Sequence, residues 1–163
     1  MEKHSQLVEA FKGKDDLGVV IRSHIIVEQY LNEIIESPML FPEKYQNEIN
    51  LDYHVKVKLA IAIGLHKRFE PSLNVLGTLR NDFAHNIREE ITKQDANNFY
   101  KSFDEERKKT VQKLLVNIKS RHKEYNLPDY RNLVPKDKFL LYVLTLCGAL
   151  ELAREFLLDN KKV

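Results

Sequence analysis

Apolar side chains recur along most of the chain at spacings of three and four, the pattern of helices that bury one face. After Gly13 and Lys14, the carboxylates of Asp15 and Asp16 are suited to cap a long helix. Within it Ile21, Ile25, Glu28, Leu31 and Ile35 advance in helical steps, and Ile26, Val27 and Ile34 widen the stripe. Ser37-Pro38 ends the run, because proline lacks a backbone donor and restricts the residue before it. Upstream, residues 5 to 11 read as a short leading helix. Downstream, Met39 to Asn50, with Pro42 among polar residues, reads as a loop.

The stretch from Val55 to Leu65 carries two patterns. Val55, Val57, Leu59, Ile61, Ile63 and Leu65 alternate as a strand would, whereas Val55, Leu59, Ala62 and Ile63 share a helical face. Ala60 and Ala62 favour helix and no partner strand is visible elsewhere, so helix is expected, with Gly64 near its end. Glu70-Pro71-Ser72 opens a further helix to about Asn86, whose stripe is Leu73, Leu76, Leu79, Phe83 and Ile87. Thr92 to Asp95 offer caps for a helix reaching Tyr125 with a break near Asp104, and the loop Asn126 to Pro135 precedes a last helix from Lys136 to Asn160.

Composition narrows the class. With 163 residues, 43% hydrophobic and 31% charged, the chain has the mixture of one globular domain spanning 1–163. Only 5 Gly and 5 Pro leave little material for the many tight turns of a β-sandwich, so an all-α antiparallel helical bundle is expected. The longest apolar segment, Phe139 to Leu150, is broken by Thr145 and Gly148 and falls short of the roughly 20 residues that span a bilayer. No signal peptide is evident and Cys147 is the single cysteine, which points to a reducing cytoplasm, with no disulfide framework and no membrane partner. A formal charge of +2 provides no global field for nucleic acid, so any such surface is local.

Polar chemistry concentrates in Leu79-Arg80-Asn81-Asp82-Phe83-Ala84-His85-Asn86. At ~100° per residue, Asn81 and Asp82 are helical neighbours of His85, while Arg80 and His85 point about 140° apart. The pair can meet one substrate only at a distorted helix end, through the reach of arginine, or across a dimer interface. A histidine can take and give a proton near neutral pH, and an arginine can hold a phosphate and stabilise charge developing on it. Those requirements fit metal-free RNA cleavage, with Arg80 as phosphate clamp, His85 moving the proton, and Asn81 and Asp82 beside them.

Arg80-Asn81-x-x-Ala84-His85 resembles the R-x4-6-H signature of the HEPN superfamily (higher eukaryotes and prokaryotes nucleotide-binding). The segments Val57 to Leu65, Leu76 to His85 and Ile25 to Asn32 are also similar to the mannitol operon repressor family. Together the likeness covers roughly residues 17 to 90. It implies an all-α, HEPN-like homodimer, settles Val55 to Leu65 as helix, and places a composite active site on Arg80 and His85. The HEPN toxins paired with minimal nucleotidyltransferases carry a tyrosine two residues after the histidine; Ile87 stands there instead. The expected activity is a metal-independent RNA endonuclease of the HEPN type in a toxin or phage-defence role, needing no cofactor. The alternative is a non-catalytic transcriptional regulator resembling the mannitol operon repressor. Expected partners are an RNA substrate, a second copy of the chain, and an antitoxin or regulatory protein.

Structural readings stand beside these. Arg80 and His85 can simply stabilise a helix C-terminus, with Arg80 paired to a buried acid such as Glu28. His24 and Glu28 form an i, i+4 pair that reads either as a satisfied core pair or as part of the Arg80 cleft. His54, His66 and His122 lack the paired helical spacing of a zinc site, so no metal is expected. From Lys101 to Glu124, eight Lys or Arg face four acids, a local surplus of +4 that reads as an RNA-attracting stripe or a solvated helix face. Cys147, inside the apolar run, is expected to be a small core residue rather than a nucleophile.

Overall fold

The computed structural model describes residues 15–159 apart from 87, 122, 124 and 125; the expected leading helix at residues 5 to 11, with Ile87 and His122, lies outside the described residues. All regular structure among the described residues is helical: α1 (Asp16–Glu36), α2 (Pro42–Glu48), α3 (Tyr53–Ile63), α4 (Glu70–His85), α5 (Lys93–Lys101), α6 (Glu105–Arg121) and α7 (Pro135–Asp159), with short 3-10 turns at Lys67–Phe69 and Tyr130–Asn132.

The helix starts follow from local chemistry. Asp15 accepts from the Gly18 amide at 2.8 Å and Asp52 from the Val55 amide at 2.9 Å, each satisfying a first-turn donor that the helix leaves unpaired. At α5, Thr92 and Asp95 form a reciprocal capping box. Gly64 ends α3 at φ 132°, a backbone conformation that side chains rarely adopt. Val55 to Ile63 is therefore helix, its alternation notwithstanding, with Leu65 just past its end: Val57 and Ala60, three apart, are buried and Val55 is exposed, which is a helical and not a period-two assortment. The break expected near Asp104 is present: Ser102 to Asp104 divide the segment into α5 and α6, and α6 ends at Arg121. The segment expected as a loop, Met39 to Asn50, contains α2: Pro42 sits in its first turn and buried Tyr45 reaches Asn32 on α1, a tertiary anchor with no local signature.

Within the bundle the two longest helices run in the same direction. Near their beginnings the Asp16 carboxylate lies 3.5 Å from Lys136 Nζ, and near their ends Glu33 pairs with Arg154. Helix α4 runs back along α1, so that the Ile91 amide beyond its end donates to Asp16 at 2.7 Å. Helix α1 packs against α3, α4 and α7, and α7 in turn carries α5 and α6. The buried face of α1 is broader than the expected stripe: Val19, Val20, Ser23, His24, Ile26, Val27, Tyr30, Leu31, Ile34 and Ile35 are buried, while Ile25 is 47% exposed. Leu73, Leu76, Leu79 and Phe83 of α4 are buried as expected, and so is Cys147.

The α5–α7 contact is aromatic. Phe99 is fully buried and packs against Phe103, Phe139 and Tyr142 at centroid distances of 5.4 to 6.0 Å. Tyr142 is itself tied to the Tyr130 hydroxyl at 2.7 Å, which satisfies both phenols inside an apolar layer. Truncating a ring in such a layer leaves a cavity that its neighbours cannot fill. Phe99→Ala is expected to lower the unfolding free energy by about 3–5 kcal/mol in urea titration. Val116→Ala, at a side chain 65% exposed, is expected to change it by less than about 0.5 kcal/mol.

Candidate functional site

Arg80 belongs to the last third of α4, on the side that faces α1 and the start of α3. It is half-buried and lines a cleft of about 670 Å³ with His24 and Glu28 of α1, Asp52, Tyr53 and His54 at the start of α3, and Asn74, Gly77, Thr78 and Asn81 of α4. Its guanidinium donates to Asn81 Oδ1 at 2.9 Å. Among the described residues no carboxylate lies within ion-pairing distance of it. The pairing of Arg80 with Glu28 does not occur: Lys56 Nζ of α3 holds Glu28 Oε1 at 2.7 Å. With Glu28 held by Lys56 and Asp52 capping α3, a partly desolvated guanidinium remains without an ion pair in the cleft, a group suited to binding an anion.

His24 is 4% exposed, yet it is part of the cleft wall. Its Nδ1 lies 3.8 Å from Glu28 Oε2 and its ring rests 4.2 Å from the ring of Tyr53. Burial pushes its pKa down to about 4; Glu28 opposes the shift, and the nearby charges of Arg80 and Lys56 reinforce it. The imidazole is therefore neutral at physiological pH. Tyr53 is locked behind it by a hydrogen bond from its hydroxyl to the Leu73 carbonyl at 3.1 Å, and burial raises that phenol's pKa. Gly77 makes the arrangement possible: a Cβ there would stand 2.8 Å from the Tyr53 ring.

The remaining motif residues point elsewhere. Asn81 is exposed at the cleft edge. Asp82 lies on another side of α4 in a second cleft of about 490 Å³ with Asn74, Thr78, Asp95, Asn98 and Lys101, and its carboxylate is 3.7 Å from Arg88. Arg88 also binds Asp95 and lies over the Phe83 ring at 4.9 Å. His85 is the last residue of α4 and is exposed; Asn86 leaves the helix in an extended conformation, and His85 lines neither cleft. Arg80 and Asn81 thus come together with His24, while Asp82 and His85 stand apart from them.

Sequence reading singled out the His24–Glu28 spacing but missed Lys56, Tyr53, Asn74 and Gly77. A glycine in the middle of a helix is a recognisable mark of close approach, whereas the Glu28–Lys56 pair spans two helices and has no local signal. The basic stretch is partly consumed by pairing: Arg107 is buried against Asp104 and Phe69, Lys108 meets Glu105, and Lys119 meets Asp129. Among the described residues no group of three or more His, Cys, Asp or Glu is placed to hold a metal ion, and no helix is long and apolar enough to cross a membrane. No protein-family model, curated protein or solved structure matches the chain.

Because His24 is neutral when folded and takes up a proton more readily when unfolded, its contribution to stability is present above about pH 6.5 and declines as pH falls toward 4. The loss is on the order of 3 kcal/mol across that window. Burial alone would raise the Asp95 carboxyl, but hydrogen bonds from Thr92 and the charge of Arg88 hold it below the usual range, so its loss falls lower in pH. Urea titrations from pH 7 to 4 are expected to show a slope that His24→Gln flattens; equal slopes for both proteins would contradict the neutral buried imidazole.

Proposed function

We propose that this chain is a metal-independent RNA endonuclease of the HEPN type, acting as a toxin or in phage defence. The observation that carries the reading is Arg80: a half-buried guanidinium, free of any carboxylate partner among the described residues, in a polar cleft of nucleotide size. It is placed to hold a backbone phosphate while Asn81 fixes its orientation. In the reaction the ribose 2′-hydroxyl loses its proton, its oxygen bonds to phosphorus, and the bond from phosphorus to the 5′-oxygen breaks. The departing oxygen takes up a proton, leaving a 2′,3′-cyclic phosphate. His85 handles one of these protons, and solvent water takes or supplies the other. Since His85 lies outside the Arg80 cleft of its own protomer, it acts on the cleft of a second copy, and Asp82 supports the helix end through Arg88. A homodimer also accounts for Leu152 and Phe156 of α7, which are 68% and 67% exposed beside an apolar cleft.

The separation of His85 from the Arg80 cleft also favours a second reading, a regulator resembling the mannitol operon repressor that works through protein contacts. A stable complex with a protein partner that survives His85→Ala, from a chain that cuts no RNA, would establish that reading instead.

Purified protein is expected to cut single-stranded RNA in the presence of EDTA, leaving cyclic phosphate ends visible by mass spectrometry. Arg80→Ala and His85→Ala should each lower the rate by at least ~10²-fold. Cleavage undiminished by both substitutions would remove the assignment.

A further inference from the structure

Nothing in the R-x4-6-H pattern explains why a buried histidine from α1 shares the cleft with Arg80. We infer that His24 is the residue that distinguishes ribose from deoxyribose, accepting a hydrogen bond from the 2′-hydroxyl beside the phosphate that Arg80 holds. The inference rests on the reading of the Arg80 cleft as the place where RNA is bound, and adds to it a specificity-determining contact within one protomer.

Three observations carry it. First, Arg80 and His24 line one cleft although they lie on different helices, so a group held by the guanidinium has the imidazole as a neighbour. Second, the ring nitrogens of His24 have no hydrogen-bond partner among the described residues. Neither is sealed within protein, as are the orphan polar atoms Ser23 Oγ, Arg107 Nε and Nη2, and Arg154 Nε. The ring therefore opens on the cleft. Glu28 on the Nδ1 side favours the proton there, which leaves the lone pair on Nε2. Third, neither acid of the cleft occupies Arg80: Glu28 is held by Lys56, Asp52 caps the start of α3, and no ion pair joins either to the guanidinium. The depressed proton affinity of His24 keeps that lone pair available at neutral pH.

The ring is also rigidly backed. Tyr53 presses on it and is pinned in turn by the Leu73 carbonyl and by the absence of a side chain at Gly77. A fixed acceptor is what discrimination of a single hydroxyl requires, because an analogue lacking that hydroxyl leaves the buried acceptor unsatisfied. The 2′-hydroxyl is the group by which a protein tells RNA from DNA at a given site.

The test is binding of a short single-stranded oligoribonucleotide and of its all-2′-deoxy counterpart by fluorescence anisotropy, on the full chain carrying His85→Ala so that the RNA survives. The ribo-oligonucleotide is expected to bind about tenfold more tightly than the deoxy one. Arg80→Gln weakens both. His24→Met brings the two affinities together, and His24→Gln, which restores an acceptor, recovers part of the difference; circular dichroism checks that each variant is folded. Equal affinities in the protein with His24 intact, or discrimination unchanged in His24→Met, overturn the inference. Cleavage by the wild-type chain that depends on Arg80 but shows no effect of His24 would defeat this inference and leave the nuclease reading standing. A chain that cuts no RNA yet discriminates through His24 would do the reverse, and failure to bind either oligonucleotide overturns both.

Discussion

The parallel pairing of α1 with α7 is the constraint on which the rest of the molecule depends. It joins segments more than a hundred residues apart, and it is held at both ends by ions: Asp16 with Lys136 at one, Glu33 with Arg154 at the other. Two parallel helices cannot be connected by a short turn, so the intervening chain must travel out and return. It does so as two layers, α3 and α4 on the α1 side and α5 and α6 on the α7 side. Asp16 is the more consequential anchor, because the same carboxylate also receives the Ile91 amide and thereby fixes where the chain passes from one layer to the other. Contacts of such sequence separation are costly to close and form cooperatively or not at all.

That arrangement creates the cleft. With α7 covering one side of α1, the opposite side carries His24 and Glu28 toward α3 and α4, and the start of α3 supplies Tyr53 and Lys56 to meet them. Two contacts then set the depth. The Gly77–Tyr53 approach draws α3 close to α4, and the Glu28–Lys56 pair ties α3 to α1. Lys56 also removes the acid that would otherwise neutralise Arg80. A half-buried pair of this kind adds little net stability once desolvation is counted, but it decides which cation of the cleft remains available.

Helix positions were legible wherever a cap or a breaker lay beside a periodic run: Asp15, Ser37-Pro38, Gly64, Pro71 and Thr92 all mark boundaries that the structure keeps. Helix α2 was not, because its single buried anchor, Tyr45, is held by Asn32 on another helix and its own sequence is mostly polar. The phase of α1 was legible only in part. A helix packed on three neighbours buries most of its circumference, and a single stripe cannot describe it. For the site, one dense polar motif was visible on α4, but its division between two clefts was not. Helical spacing gives the angle between side chains, whereas which side is walled in depends on α1 and α3.

Charge distribution narrows how such a cleft can recognise anything. The chain carries a formal +2, and the basic surplus between Lys101 and Glu124 is reduced further by Asp129, outside that stretch, which pairs with Lys119. Long-range steering of a polyanion is therefore weak, and on the proposed reading salt dependence would reflect the few phosphates met directly. Selectivity would then have to come from short-range geometry: the Arg80 guanidinium for an anion, and the neutral, sterically fixed imidazole of His24 for the group beside it. A strongly basic surface would hold many nucleic acids equally. On the proposed reading, a nearly neutral protein with a half-buried guanidinium that no carboxylate pairs among the described residues would bind less tightly, and what it binds would be determined by the groups lining that cleft.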